Sequence, residues 1–296
     1  PRQTKGEDMS AQYAHPEYLA ETVWLADHLD DPDLRIFDCT VEMANDPVKG
    51  YSIKNGREKY EASHIPGAAF IDLMDEFTDL DHPLNFMMPP ADRFVSLASQ
   101  YGIGDGVTAV LYNAGPTWWA TRMWWNLRAH GFDNAKVLNG GYEKWTSEGL
   151  PTKSGDERYP AASFKSRPRD GLIVGKDAVL AGIVDPTTAI LDALSPELHS
   201  GERVQYGRPG HIKSSVNVPA RMLLEDETFA FKAADDLSAA FAPSGVMEAP
   251  KVVTYCGGGI SATTDLFALA LLGHEGVQLY DASMTEWGRD DSLPME

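Results

Sequence analysis

The chain has 296 residues, of which 43% are hydrophobic and 23% are charged, a composition typical of a soluble globular protein rather than a disordered one. Asp and Glu number 44 against 25 for Lys and Arg, so the formal net charge is −19. Such an acidic surface repels phosphate backbones, which argues against nucleic-acid binding, and it leaves any anionic substrate dependent on local dipoles and cations. The sequence has no apolar run of about 18 residues, so no membrane-spanning segment is predicted.

The two cysteines, Cys39 and Cys256, are too few for a disulfide framework or a cysteine-rich metal site. Cys39 ends an apolar run with no glycine-rich loop after it, which predicts a buried structural thiol. The first ten residues, PRQTKGEDMS, lack the apolar core of a secretory signal. These features predict the reducing cytoplasm as the compartment. Neither a metal-binding His-Glu-x-x-His motif nor a phosphate-binding Gly-x-x-x-x-Gly-Lys loop is present, so no cofactor is predicted.

In chain order, a tail over residues 1–18 precedes two similar halves, 19–150 and 172–296. Each half alternates short β-rich runs with helical stretches. The runs are LRIFDC, AAFIDL, AVLYN and KVLN in the first half, and TAILDA, SVNVP, VVTYC and VQLYD in the second. This alternation predicts α/β domains, each with a mostly parallel sheet flanked by helices. Residues 151–171 are polar and contain prolines without clean periodicity, which is typical of a linker.

The two halves repeat one another in order and spacing. The run RIFD ending at Asp38 matches AILD ending at Asp192, and AVLYN ending at Asn113 matches VVTYC ending at Cys256. The offsets drift by a few residues, as loop insertions would allow. The repeat predicts two tandem domains of one fold.

Two features of the first half have both a functional and a structural interpretation. His64 lies in the loop His-Ile-Pro-Gly-Ala, where it either reaches a cleft between the domains or holds its own loop by a hydrogen bond. Four tryptophans at helical spacing cover more than one face, so we expect packing against the first sheet and the second domain rather than an aromatic binding platform. They are Trp118, Trp119, Trp124 and Trp125.

The most informative segment is VVTYCGGGISATT. A strand delivers Cys256 to the carboxyl end of its sheet, where ligands of parallel sheets bind. The glycines at 257–259 let the backbone curl with its N–H groups inward, and a helix is predicted to begin near Ser261, capped by Ser261 or Thr263. Converging N–H dipoles and the positive end of a helix both favour a thiolate. We therefore interpret Cys256 as a nucleophile, although an isolated cysteine ending a strand is more often structural.

The loop of the first half that corresponds to the Cys256 loop reads Asn113-Ala114-Gly115-Pro116. It has no nucleophile, and its proline lacks an N–H group. The second half is therefore predicted to carry the chemistry and the first half to be inactive.

These features together resemble the tandem rhodanese-type sulfurtransferases, from about Thr22 onward. The specific parts are the His-Ile-Pro-Gly-Ala stretch at 64–68, the six-residue loop at 256–261 and the Glu-Trp close at 286–287. The resemblance implies an inactive first domain, an active second domain and no metal or organic cofactor. It also implies that Cys256 accepts sulfane sulfur as a persulfide and passes it to a thiophilic acceptor. The anionic persulfide would be cradled by the loop residues Gly257, Gly258, Gly259, Ile260 and Ser261.

The neutral Cys-Gly-Gly-Gly loop is similar to that of family members that prefer 3-mercaptopyruvate, because members that prefer thiosulfate have basic side chains there. A neutral loop offers no cation to the thiosulfate dianion but accommodates the thiol of a 2-oxo acid. The arginine that such members place after the second Asp strand is absent, and Leu198 stands near its position. Arg203 or Arg208 is a candidate to bind the donor carboxylate instead, with plain solvation an equal alternative. The acceptor is expected to be a thiol, cyanide or a thioredoxin-like protein.

Two alternatives remain open. A cysteine phosphatase shares the strand–Cys–loop–helix arrangement, but it needs Cys-x-x-x-x-x-Arg to clamp phosphate, and the required position is Ala262. A non-catalytic sulfur-relay or binding module, with both domains inactive, fits the same fold.

Overall fold

The computed structural model describes residues 13–46 and 50–296, and it contains two five-stranded parallel sheets flanked by helices. The strands are β1 (Leu19–Ala20), β2 (Leu34–Asp38), β3 (Val41–Asp46), β4 (Gly50–Asn55), β5 (Ala69–Phe70), β6 (Thr108–Tyr112), β7 (Ala135–Leu138), β8 (Ile173–Val174), β9 (Thr188–Asp192), β10 (Ser215–Asn217), β11 (Lys251–Tyr255) and β12 (Val277–Tyr280). The helices are α1 (Thr22–Asp27), α2 (Arg57–Ala62), α3 (Ala91–Gln100), α4 (Trp118–Ala129), α5 (Gly141–Ser147), α6 (Lys176–Val184), α7 (Pro196–His199), α8 (Ala234–Phe241), α9 (Ala262–Leu271) and α10 (Ser283–Trp287). The predicted α/β class is confirmed.

The two sheets have the same topology. Their strand orders are β1-β7-β6-β2-β5 and β8-β12-β11-β9-β10, and every neighbouring pair within them is parallel. The central registers also correspond, since Asp38 pairs with Tyr112 and Asp192 with Tyr255. The strands β3 and β4 form a separate antiparallel hairpin that belongs to the first half alone. The tandem repeat read from the sequence is therefore present in the fold.

The segment predicted to be a linker lies against the first domain. The Tyr159 hydroxyl accepts a hydrogen bond from the Ile36 N–H at 2.9 Å and donates one to the Gly67 carbonyl at 2.6 Å. Phe164 is buried in the same core as the first sheet. Residues 151–171 thus form an anchored strap rather than a free connection.

The domains meet along the equivalent helices α4 and α9. The Thr121 and Thr263 hydroxyls are 2.8 Å apart, and the Trp124 and Phe267 rings make an edge contact with centroids 4.8 Å apart. Trp124 and its neighbour Trp125 therefore pack as the sequence predicted.

In the predicted tail, the N–H groups of residues 14 and 15 donate to the carbonyl that ends α9, whereas residues 1–12 lie outside the described part. No helix among the described residues is long and apolar enough to cross a bilayer.

Asp265, in the first turn of α9, is fully buried, and neither of its carboxylate oxygens has a hydrogen-bond partner within the described ranges. Burial, with a smaller effect of nearby Asp192, raises the pKa of Asp265 well above that of a free carboxyl group. The folded state therefore binds this proton more tightly than the unfolded state. The contribution of this proton to the free energy of unfolding is fully present below the pKa that Asp265 has in the unfolded state. It is lost as the pH rises through the pKa that Asp265 has in the folded state.

We predict that Asp265→Asn increases the free energy of unfolding at pH 8, because the amide cannot ionise, and that the gain is smaller at pH 4. Urea unfolding at the two pH values measures it. The exposed Asp236→Asn is the control and should show no such pH-dependent gain. An Asp265→Asn variant with equal effects at both pH values would contradict the assignment.

Candidate active site

Cys256 lies at the floor of a cavity of about 450 Å³ between the two domains. Strand β11 delivers it to the carboxyl end of the second sheet, and helix α9 begins six residues later at Ala262. Only 2% of the residue is exposed, yet it lines the cavity. The second domain contributes the Cys256 loop and the rim, while the first contributes the β3–β4 hairpin and the start of α4. A ligand in this cavity therefore contacts both domains.

A serine that sequence analysis missed fixes the start and the bend of the Cys256 loop. The Ser283 hydroxyl accepts hydrogen bonds from the N–H groups of Cys256 at 3.1 Å and Gly259 at 3.2 Å. It donates its own proton to the Tyr280 carbonyl at 2.8 Å. One side chain thereby holds both ends of the turn that carries the thiol.

Ser283 adopts the left-handed backbone conformation, with φ of +51°, which costs a non-glycine residue about 1–2 kcal/mol. The equivalent residue of the first domain is Gly141, with φ of +52°. The two domains thus share the backbone turn, but only the second places a hydroxyl there. Strain of this kind is typical of functional sites. The small-residue turn was visible in the sequence, whereas the hydroxyl's partners were not.

Four of the five predicted cradle residues retain an N–H group that donates to no acceptor within the described part of the chain. These same four residues line the cavity: Gly257, Gly258, Ile260 and Ser261. The fifth, Gly259, does not line it, because its N–H group donates to Ser283. Gly259 is therefore a structural residue of the loop and not a donor to a bound sulfur.

The three glycines of the loop differ in how much space a side chain would have at each position. Gly259 has φ of +71°, and a Cβ there would lie 2.5 Å from the Asp281 carbonyl oxygen. A Cβ on Gly257 would approach the hydroxyl end of the Tyr206 side chain, which would have to move. At Gly258 the nearest atom would be 3.7 Å away, which is ordinary contact. Backbone conformation and close approach of backbone together therefore require glycine at position 259.

A buried arginine from the first domain braces the same loop. The Arg122 guanidinium, 2% exposed, donates to the Gly259 carbonyl at 3.1 Å and pairs with the Asp281 carboxylate. It also donates to the Phe86 carbonyl of the first domain at 2.6 Å. The other Asp281 oxygen accepts the Met88 N–H at 2.9 Å. This ion pair therefore ties the Cys256 loop to the first domain.

In the first domain the equivalent loop is closed by its own polar groups. The Asn113 side-chain amide donates to the carbonyls of Ala114 at 2.8 Å and Pro116 at 2.9 Å. The Gly115 N–H donates to the Glu143 carboxylate at 2.7 Å. A negative charge thus occupies the place where the second domain leaves N–H donors open, so this loop offers nothing to an anion.

Comparison with known proteins agrees with this geometry. The family model described as Rhodanese-like domain matches residues 21–148 and 176–290. The chain belongs to the tandem rhodanese family of sulfurtransferases. It is 32% identical to 3-mercaptopyruvate sulfurtransferase of Escherichia coli over 277 residues, covering 92% of this chain and 95% of that protein. It is also 32% identical to the sulfur carrier protein TtuD of Thermus thermophilus, covering 96% and 98%.

A crystal structure of the E. coli 3-mercaptopyruvate enzyme SseA superposes with a TM-score of 0.79 at 30% identity, covering 90% of this chain and 98% of that one. The match extends over both domains, so the two-domain architecture is that of the rhodanese family. The family resemblance inferred from the sequence is confirmed.

Two arginines lie at the rim of this rhodanese cavity, and they differ in how they are bonded. Arg203, which the sequence proposed, is exposed, and its guanidinium donates a hydrogen bond to the Ser195 hydroxyl at 3.4 Å. Arg221 was missed. Its guanidinium donates to the three consecutive carbonyls of Leu224, Glu225 and Asp226. Arg203 is therefore the rim cation with a guanidinium open to a ligand.

The other two proposed substrate residues do not line the cavity. His64 is fully buried, its Nδ1 lies 2.7 Å from the Tyr60 carbonyl, and its ring stacks on Tyr60. Arg208 donates to the carbonyls of Leu293 at 2.9 Å and Asp290 at 2.6 Å, near the carboxyl end of the chain. Both side chains hold loops together, and for His64 this is the loop-holding alternative that the sequence left open.

We predict that Ser283→Ala and Ser283→Gly each slow sulfur transfer by about tenfold or more, because each leaves two loop N–H groups without their acceptor. Glycine also relieves the left-handed backbone, so Ser283→Gly should be more stable than Ser283→Ala by about 1 kcal/mol. Turnover assays and urea unfolding measure the two effects. Ser147→Ala, which removes an exposed hydroxyl, is the control. Full activity in Ser283→Gly would show that the hydroxyl is not needed.

Proposed function

We propose that this rhodanese transfers sulfane sulfur from a small anionic donor to a thiophilic acceptor through a persulfide on Cys256. The observation that carries the proposal is the position of the thiol. It lies at the floor of an interdomain cavity, in a loop where four cavity-lining residues have N–H groups that donate to no acceptor within the described part of the chain. Family membership supports sulfur transfer as the reaction class. The closed Asn113 loop supports a first domain without catalytic activity.

In the loading step the Cys256 thiolate attacks the donor sulfur. With 3-mercaptopyruvate, a new S–S bond forms, the C–S bond breaks, and its electron pair leaves on the enolate of pyruvate, which takes up a proton. With thiosulfate, the donor S–S bond breaks and sulfite leaves with the electron pair. In the discharge step an acceptor thiol or cyanide attacks the outer sulfur, and Cys256 leaves as the thiolate.

Electrostatics of the loop support the anionic states of both steps. N–H groups that are already oriented by the fold stabilise developing negative charge without reorganisation. Helix α9, ten residues long, directs its N-terminus toward this loop and adds a positive dipole end. Both effects act locally, which matters on a chain of net charge −19. We place the reaction in the reducing cytoplasm, where a thiol nucleophile stays reduced.

We infer that 3-mercaptopyruvate is preferred over thiosulfate. The loop residues lining the cavity carry no charged side chain, and Arg203 is the one rim arginine whose guanidinium is not bonded to backbone carbonyls within the described part of the chain. A single exposed cation suits a single carboxylate better than a compact dianion.

The similarity to the Thermus sulfur carrier supports a second candidate, a sulfur-relay protein that accepts the persulfide and passes it only to a protein partner. The phosphatase alternative has no such support. Ala262, where that chemistry needs arginine, begins helix α9.

The test is turnover with each donor plus cyanide, followed as thiocyanate, together with intact mass after donor treatment alone. We expect one added sulfur atom on the protein, faster turnover with 3-mercaptopyruvate, and loss of both signals in Cys256→Ser. The buried Cys39→Ala is the matched control and should keep both. Added sulfur without turnover favours the relay, and normal turnover by Cys256→Ser overturns the proposal.

A second prediction concerns the donor carboxylate. Arg203→Ala should raise KM for 3-mercaptopyruvate about tenfold with little change in kcat, because it removes one charge-assisted contact that is equal in ground and transition states. Arg158→Ala, whose side chain is 82% exposed on the first domain, is the control. An unchanged KM would exclude Arg203 from the donor site.

A further inference from the structure

The cavity above Cys256 is far larger than a small anionic donor requires. Its volume of about 450 Å³ lies in the range of sites that enclose drug-sized ligands, which is roughly 300–1,000 Å³. A molecule of the size of 3-mercaptopyruvate fills only the part next to the thiol and the rim. The remaining space therefore has to be explained by the second substrate, the acceptor.

That remaining space is bounded by apolar side chains of the first domain. Met43 and Ile53 are cross-strand partners in the β3–β4 hairpin, and both line the cavity. Phe86, Trp118 and Trp119 complete this side, with the Phe86 and Trp119 rings 5.0 Å apart. We call these five residues the first-domain wall. Trp118 and Trp119 thus line a binding surface, unlike Trp124 and Trp125, so the expectation of packing alone was incomplete.

The first-domain wall carries no charged side chain. The charged residues lining the described cavity are Arg203 and Arg221, and both belong to the second domain. The indole N–H groups of Trp118 and Trp119 are polar but uncharged, so an ionic group placed against the wall would lose its hydration without a charged partner, whereas an apolar ring would gain from burial. The wall therefore favours a ring-bearing or alkyl group.

The backbone holds one member of the wall in an unusual conformation. Phe86 has φ of +64°, which is rare for a bulky residue. Its carbonyl accepts a hydrogen bond from Arg122, the same guanidinium that holds the Gly259 carbonyl in the Cys256 loop. The Phe86 backbone is thereby linked to the Cys256 loop through one guanidinium. Strain maintained in this way is typical of binding and catalytic positions.

We propose that the acceptor is a small organic thiol with an apolar, ring-bearing body that packs on the first-domain wall. This rests on the persulfide chemistry proposed above. The acceptor thiolate attacks the outer sulfur of the Cys256 persulfide, a new S–S bond forms, and the bond to Sγ breaks with its electron pair staying on Sγ. The product is the persulfide of the acceptor, and no additional oxidant or reductant takes part. Because Cys256 is only 2% exposed, attack comes from inside the cavity, which suits a small molecule.

The experiment compares two thiols of similar acidity on preloaded protein. Cys256 is loaded with sulfur, the donor is removed, and the loss of one sulfur atom is timed by intact mass after adding 2-phenylethanethiol or 2-mercaptoethanol. We expect the phenyl thiol to react about tenfold faster or more, from burial of its ring.

Met43→Ser should reduce that advantage about threefold, measured as the ratio of the two thiols' rates on protein already loaded with one sulfur atom. Met43 is 45% exposed, so its replacement leaves the core intact. Val184→Ser, at an 81% exposed apolar residue outside the cavity, is the matched control and should change neither rate. Trp119→Leu makes the same comparison at a buried residue of the first-domain wall, and it should likewise reduce the ratio of the two thiols' rates.

Equal rates for the two thiols, or a Met43→Ser variant that behaves as the control does, would overturn the proposal. So would thioredoxin discharging the persulfide faster than either thiol and without sensitivity to Met43→Ser. If the proposed sulfur transfer itself is wrong, this is seen at the preceding step, because donor treatment then adds no sulfur atom to Cys256. In that case binding of the unreactive methyl 2-phenylethyl sulfide, followed by tryptophan fluorescence, still tests the wall, and no binding refutes it.

Discussion

The contact on which this architecture depends is the buried guanidinium of Arg122. It reaches from helix α4 into the second domain, where it pairs with Asp281 and holds the Gly259 carbonyl, while its other arm holds Phe86 in its own domain. An ion pair this deep is costly to break because either charge alone would remain buried. The geometry of the Cys256 loop therefore depends on the domain whose equivalent loop has no cysteine.

The two domains have the same topology, but their equivalent loops are hydrogen-bonded differently. In the second, the Ser283 hydroxyl accepts hydrogen bonds from the N–H groups that shape the turn, and those of four cavity-lining loop residues donate to no acceptor among the described residues. In the first, Asn113 and Glu143 satisfy the equivalent loop from within. The difference lies in a few side chains at the carboxyl ends of matching strands, since the backbone turns at Ser283 and Gly141 are nearly the same. The two loops thus differ in hydrogen bonding without a change of fold.

The sequence predicted the sheets, the repeat and the Cys256 loop well, because periodicity, strand-ending residues and consecutive glycines are local signals. It did not predict the role of Ser283, whose partners Cys256 and Gly259 are distant in sequence and whose backbone has an unusual φ value. For His64 the sequence left a loop-holding role open beside a role in the cleft, and the structure has the loop-holding hydrogen bond. Arg208, a candidate for the donor carboxylate, donates to backbone carbonyls instead. A histidine in a tight loop and an arginine near a site have many backbone carbonyls within reach, and only the tertiary fold decides which they bind.

Asp265 stands nine residues after Cys256, just as Arg122 stands nine residues after Asn113. In the first domain this position holds Arg122, whose side chain crosses to the other domain. In the second domain it holds Asp265, whose carboxylate has no hydrogen-bond partner within the described residues. At this pair of positions, therefore, only the side chain of the first domain bonds to the other domain. Arg122 thus holds the Cys256 loop from the first domain, whereas Asp265 makes no hydrogen bond to the first domain among the described residues; the second domain instead contacts the first through other groups, such as Asp281, which accepts the Met88 N–H.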